Sequence, residues 1–130
     1  MKRILIVDDS QKWVAFHKIA LRKVFAGKEI EIEIETVLSA REGVEKLELF
    51  QDEPFDIILT DMQMEADFLP LMAGEWFIRQ IQLFKEYKNS KIVIISAAPD
   101  IAQIAARYGV DYIPKYYCQM SGAYDKIGAL

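Results

Sequence analysis

Cysteine and histidine are almost missing from this chain of 130 residues, where each occurs once. With Cys118 alone no intrachain disulfide can form, and a reducing compartment is expected. His17 is equally solitary, so the His and Cys pairs whose spacing marks a zinc site are lacking. Long apolar runs are lacking too. The opening MKRILIVDD carries two basic residues and a run of four apolar ones before two aspartates, too short a core for a signal peptide. No run reaches membrane-spanning length, so the reading is a cytoplasmic protein with no membrane insertion. A large excess of one charge sign is also lacking. A net charge of −4 argues against non-specific binding to nucleic acid or a membrane surface, which needs a basic face. Internal repeats, low-complexity segments and linkers are absent. One domain over residues 1–130 with no output domain is expected.

What the chain does contain suits a single packed core: hydrophobic residues are 52% and charged residues 28% of the total. Short β-branched runs at residues 4–7, 57–59 and 92–95 are apolar on both faces, as parallel strands covered by helices on two sides require. Residues 29–37 alternate as EIEIEIETV, predicting a half-exposed edge strand whose acidic face is solvated and discourages further pairing. Residues 111–114 end in a proline, which suits a second edge strand. Between them lie helical stripes: Trp13, Phe16, Ala20 and Val24; Ala40, Val44 and Leu47; Phe77, Ile81 and Phe84; Ile101, Ala105 and Tyr108. Ser10, Ser39 and Asp100 are the expected helix caps. Strand and helix alternate, so the fold class is α/β with right-handed crossovers.

The chemistry gathers where the strands end. The first run exits into Asp8 and Asp9, the third strand into Asp61, the fourth into Ser96 and the fifth into Lys115. In an open parallel sheet the carboxyl ends share one rim, and ligands bind there. Carboxylates gathered in one small volume repel, by roughly 4 kcal/mol per pair about 4 Å apart at an effective dielectric of about 20. Positive charge is therefore required. Lys115 supplies part of it, and a hard divalent ion the rest. An all-oxygen ligand set favours Mg²⁺ over zinc.

Taken in order, ILIVDDS, SAREGVEKL, FDIILTDMQM, GEWFIRQI, IVIISA and YGVDYIPK resemble the response-regulator receiver family, over residues 1 to about 115. The resemblance implies a flavodoxin-like, doubly wound, five-stranded parallel sheet of strand order 2-1-3-4-5 with helices on both faces. It implies a two-component phosphorelay receiver that takes a phosphoryl group on Asp61. The donor would be a sensor histidine kinase or a histidine phosphotransfer protein, and the output contact with a downstream protein target. By the same likeness Asp8 and Asp9 help hold Mg²⁺, joined by Asp61 and the Gln63 backbone carbonyl. Ser96 contacts the phosphoryl group, Lys115 is its ionic partner, and Tyr112 is the aromatic switch. Such a domain phosphorylates and dephosphorylates itself and is not a turnover enzyme.

The chain departs from the family pattern in four places. Tyr116 follows Lys115 where the family has proline. Asp61 and Gly74 are 13 positions apart (74 − 61), a longer gap than usual, with Glu65 in place of a proline. The apolar residues 68–72 in that gap are expected to form a lid or a partner-contact patch. The stretch from Ser96 to Lys115 is short, which is expected to trim the fourth helix or the loop before it. After residue 116 the apolar stripe is too poor for a full fifth helix. His17 is taken as an ordinary helix residue, Cys118 as inert, and Trp13 and Trp76 as packing. Two other functions stay open: a receiver-like interaction module that works without phosphorylation, and an aspartate-dependent phosphohydrolase. The latter places a second aspartate two residues after its nucleophile, where this chain has Gln63.

Overall fold

Parallel backbone pairing organises the molecule. The structure, a computed structural model, describes residues 1–64 and 73–130. In chain order the elements are β1 (Lys2–Val7), α1 (Gln11–Ala26), β2 (Ile32–Val37), α2 (Ala40–Leu49), β3 (Ile57–Thr60), α3 (Ala73–Leu83), β4 (Lys91–Ser96), α4 (Ile101–Tyr108), β5 (Asp111–Pro114) and α5 (Asp125–Gly128). Short 3₁₀ turns follow α3 at Lys85–Tyr87 and β5 at Lys115–Gln119. The five strands are ordered β2-β1-β3-β4-β5, all parallel, so the acidic alternating strand and the proline-terminated strand both lie at edges as expected.

Because successive side chains on a strand point to opposite faces, β1 feeds two cores. Leu5 and Val7, with Ile58, Ile92 and Ile94, pack under α2, α3 and α4 through Leu47, Phe77, Ile81 and Ile104. Ile4 and Ile6, with Leu59, Val93 and Ile113, pack under α1 and the C-terminal segment through Leu21, Phe25, Tyr124 and Ile127. The central strands are buried on both faces, hence their unbroken β-branched character.

Some expectations shift. The strand predicted at 29–37 begins only at Ile32. Residues 28–30 still bond back to α1, with the Lys28 and Ile30 N–H groups both donating to the Phe25 carbonyl, and Glu29 adopts φ 57°. The helix terminus thus takes the start of the alternating run. On α1 the buried face is Val14, His17, Leu21 and Phe25, one step round from the predicted stripe. Phe16 is exposed, while Trp13, Ala20 and Val24 are half-buried. The cause is His17, a core residue rather than an ordinary helix position, whose Nδ1 lies 2.6 Å from the Tyr124 hydroxyl. Ser10 and Ser39 cap their helices by accepting the Trp13 and Glu42 N–H groups. Asp100 stands at the start of α4 without a side-chain cap bond. Phe84 lies just past α3, half-buried and edge-on to Tyr87. Residues 68–72, the expected lid, and Glu65 lie outside the described residues. No helix among the described residues is long and apolar enough to cross a membrane.

The poor stripe after residue 116 does give only a four-residue α5. Its segment is nonetheless anchored, because Cys118, Ala123, Tyr124 and Ile127 are all buried. At the other side of the sheet, α3 begins against the loop after β3. A Cβ built on Gly74 would sit 2.3 Å from the Asp61 carbonyl oxygen and 2.4 Å from Met62 Cα. Both are backbone atoms, so neither can swing aside.

Gly74→Ala is therefore expected to destabilise the fold by about 2 kcal/mol, within the range for overpacking a tight contact, and urea denaturation measures it. A second expectation concerns pH. The Tyr87 O–H donates to the Leu47 carbonyl at 2.9 Å. Burial pushes its pKa up from 10.0 to about 12. The unfolded chain loses that proton first, so this contribution is intact below pH 10.0 and declines as pH rises toward about 12. Urea midpoints followed through that window should fall less steeply in Tyr87→Phe.

Candidate functional site

Two backbone bonds carry the strand pairing just beyond the sheet and so fix where the carboxylates emerge. The Asp8 N–H donates to the Val37 carbonyl at 3.3 Å, and the Asp61 N–H donates to the Val7 carbonyl at 3.0 Å. Asp8 and Asp61 are thereby laid side by side at the ends of adjacent strands. Asp9, the next residue, is exposed. One carboxylate oxygen from each of Asp8, Asp9 and Asp61 lies within 4.8 Å of the others.

Each buried carboxylate is oriented locally. Asp8 Oδ1 accepts the Ser10 N–H at 2.9 Å, and Ser10 Oγ in turn accepts the Trp13 N–H. The turn that leads into α1 is therefore also the clamp on Asp8. Asp61 Oδ1 accepts the Gln63 N–H at 3.1 Å, while Oδ2 accepts from Lys115 Nζ at 3.0 Å. The Thr60 hydroxyl donates to the Asp61 carbonyl. Lys115, at the end of β5, also stands 3.4 Å from Asp8 Oδ2. It bridges two carboxylates delivered by two other strands, and its Nζ lies 4.8 Å over the Trp13 ring.

The electrostatics follow from this placement. Burial opposes ionisation of Asp8, yet the facing His17 ring, the Ser10 N–H and Lys115 hold its carboxyl below the ordinary value. Burial likewise opposes the Lys115 ammonium, but Asp61 and Asp8 outweigh it and raise the lysine above its usual range. Asp8 Oδ2 remains a buried oxygen with no hydrogen bond among the described residues. Its neighbours are Lys115 Nζ at 3.4 Å and His17 Nε2 at 3.7 Å, the second beyond hydrogen-bond length. An orphaned carboxylate oxygen beside two further carboxylates, all hard oxygen donors, is a fitting set for a small divalent cation.

Of the residues singled out in the sequence, Lys115 contacts both Asp8 and Asp61, Asp9 places a carboxylate oxygen within 4.8 Å of theirs, and Gln63 joins them through its backbone N–H. Ser96 is buried at the same rim, where its Oγ accepts the Ala98 N–H at 3.1 Å. Tyr112 stands apart. Its ring packs half-buried against the core under α4, and its carbonyl accepts from Lys126 Nζ at 2.8 Å. Trp13 and His17 belong to the site, though Trp13 reads from the sequence as packing and His17 as an ordinary helix residue. The only available signal was their i, i+4 spacing immediately after the acidic pair. Cys118 is buried, and burial raises its thiol pKa, which fits the inert role.

Relieving the clustered charge has an expected signature. Asp9→Asn should stabilise the ion-free protein by about 1 kcal/mol in EDTA, since one member of a repelling set is neutralised. The same change should sharply reduce the stabilisation that Mg²⁺ gives the wild type. Thermal unfolding with and without the ion measures both effects.

With this geometry in view, the comparisons with known proteins agree. Residues 4–119 match the model of the response regulator receiver domain family. Over 98 residues the chain is 28% identical to the sensor histidine kinase TmoS of Ectopseudomonas mendocina. That match takes in 75% of this chain and 8% of the kinase, so the chain spans only a small part of its relative's length. Among solved structures, the chemotaxis response regulator CheY4 of Vibrio cholerae is 26% identical with a TM-score of 0.59, over 88% of this chain and 87% of that one. The Mn²⁺-bound form of response regulator Rcp1 is 18% identical with a TM-score of 0.70, over 98% and 89% of the two chains. A parallel sheet ordered β2-β1-β3-β4-β5, an acidic rim and a family match over most of the sequence lead to one conclusion: this chain belongs to the response regulator receiver domain family.

Proposed function

We propose that the domain accepts a phosphoryl group on Asp61 from a phosphohistidine, carried by a sensor histidine kinase or a histidine phosphotransfer protein. The observation that carries this reading is the pairing of Asp61 Oδ2 with Lys115 Nζ at 3.0 Å, inside a set of carboxylates converging within 4.8 Å. In the transfer, an Asp61 carboxylate oxygen forms the new O–P bond as the P–N bond to the donor histidine breaks. The leaving electron pair returns to the imidazole. Little covalent work falls to the protein beyond alignment and neutralisation of charge.

Asp8, Asp9 and Asp61 would hold Mg²⁺ together with the Gln63 backbone carbonyl, and the Mn²⁺-bound Rcp1 structure supports a divalent ion in this family. When bound, the ion supplies positive charge to the phosphoryl oxygens. Lys115 supplies a second cation from the β5 side, and Ser96 an O–H donor from β4. The new dianionic group draws Ser96 toward it, and Tyr112 turns into the vacated space. The face around α4 and β5 thereby changes its shape for a downstream protein. On this reading the domain is a self-modifying acceptor rather than a turnover enzyme, and it works in the cytoplasm.

A small-molecule phosphodonor with Mg²⁺ tests the proposal. Intact-mass spectrometry should find one added phosphoryl group on the wild type, none on Asp61→Asn, and none on the wild type in EDTA. No gain on the wild type under any donor would instead favour an interaction module that works without phosphate.

A further inference from the structure

The chain's one histidine is buried, polar and placed behind the acid cluster, and the phosphoacceptor chemistry makes no use of it. His17 is 2% exposed and lies on the face of α1 that otherwise holds Val14, Leu21 and Phe25. Burying an imidazole there costs free energy unless both ring nitrogens are engaged. Nδ1 lies 2.6 Å from the Tyr124 hydroxyl, 107 positions along the chain. Nε2 lies 3.7 Å from Asp8 Oδ2, a buried oxygen with no hydrogen bond among the described residues. A carboxylate oxygen only accepts, so attraction requires the ring proton on Nε2. With one ring proton, Nδ1 is then the acceptor, and the Tyr124 O–H donates to it. Tyr124 is 4% exposed, and burial raises its pKa far above the ordinary value, so it remains a donor.

Two aromatic rings also pack against the imidazole. The Trp13 centroid is 5.5 Å away and the Tyr124 centroid 5.8 Å. Trp13 in turn carries Lys115 Nζ over its face. One turn of α1 therefore addresses both charges around Asp8: His17 faces the carboxylate, and Trp13 backs the ammonium.

We propose that His17 is a positioning residue, oriented by Tyr124 through Nδ1 so that its Nε2–H faces Asp8 Oδ2, and that this Tyr124–His17–Asp8 relay tunes the affinity of the acid cluster for its divalent ion. The inference rests on the divalent-ion reading above and adds to it a supporting element from the C-terminal segment. Groups that orient metal-binding carboxylates commonly alter affinity by about 10- to 100-fold when removed. The long Nε2 contact places this relay at the lower end. Without the Tyr124 hydroxyl, the ring is free to move its proton to Nδ1. A lone pair then faces Asp8, and the carboxylate turns out of its orientation.

Because His17 is the sole histidine, the side-chain ¹⁵N spectrum of the full chain reports it without ambiguity. The wild type should show a proton on Nε2 and none on Nδ1. Tyr124→Phe keeps the aromatic ring and the packing. It should give a mixture of the two ring forms and bind Mg²⁺ about tenfold more weakly by calorimetry. His17→Gln, whose amide nitrogen takes the place of Nε2, should stay within about threefold of the wild type, whereas His17→Met should lose about tenfold. Two results would overturn the relay: a wild-type ring that carries a proton on Nδ1, alone or together with Nε2, or Mg²⁺ affinity in Tyr124→Phe equal to the wild type. A wild type that binds no Mg²⁺ would sink the divalent-ion reading and the relay's role together. Normal wild-type binding that is indifferent to Tyr124 and His17 removes the relay alone.

Discussion

Like charges held together at the rim of a sheet govern the structure of this domain. Oxygens of Asp8, Asp9 and Asp61 approach within 4.8 Å. At that separation a pair of unit charges repels by roughly 3.5 kcal/mol at an effective dielectric of about 20. A domain of this size is stable by only about 5–15 kcal/mol in all. The repulsion must therefore be offset where it arises. Lys115 does so by bridging Asp61 and Asp8, backbone N–H groups of Ser10 and Gln63 take one oxygen from each, and His17 faces what remains. The compensation is partial, because Asp8 Oδ2 meets Lys115 only at 3.4 Å and has no hydrogen bond among the described residues, and it is this shortfall that a divalent cation fits.

The same arrangement ties the site to the rest of the fold. Asp8 and Asp61 each extend the backbone pairing beyond their strands, so the separation of their carboxylates is set by the sheet rather than by flexible loops. Gly74 lets the first turn of α3 press against the backbone of Asp61 and Met62. On the other face, α1 and the C-terminal segment meet closely, since a Cβ on Gly128 would lie 2.5 Å from Val24 Cγ1. From that same segment Tyr124 reaches His17. An acidic site on a receiver sheet is thus braced from both faces, by α3 on one side and by the last residues of the chain on the other.

Much of this was legible in order along the chain. Strand ends carry Asp8, Asp9, Asp61, Ser96 and Lys115, and parallel topology obliges strand ends to share a rim, so the converging carboxylates and ammonium could be anticipated from polarity alone. The alternation in 29–37 announced an edge strand, and proline at 114 announced the other. The stripe on α1 misled because a histidine counts as polar in any periodicity, although a buried hydrogen-bonded imidazole can hold a core position. The start of β2 misled because the last residues after α1 followed backbone bonding to Phe25 instead of their own alternation.

The sequence by itself determined the class of fold, the strand order through its family resemblance, and the identity of the charged residues at the rim. These depend on local polarity and on spacing within one element, which a linear chain displays. Only the tertiary structure decided which nitrogen faces which oxygen: Lys115 between Asp61 and Asp8, Trp13 beneath Lys115, and Tyr124 against His17. Those contacts join residues 54 and 107 positions apart in the cases of Asp61–Lys115 and His17–Tyr124. Nothing local specifies such pairs. They arise when both faces of the sheet are closed and buried polar groups take the partners that the packing leaves within reach.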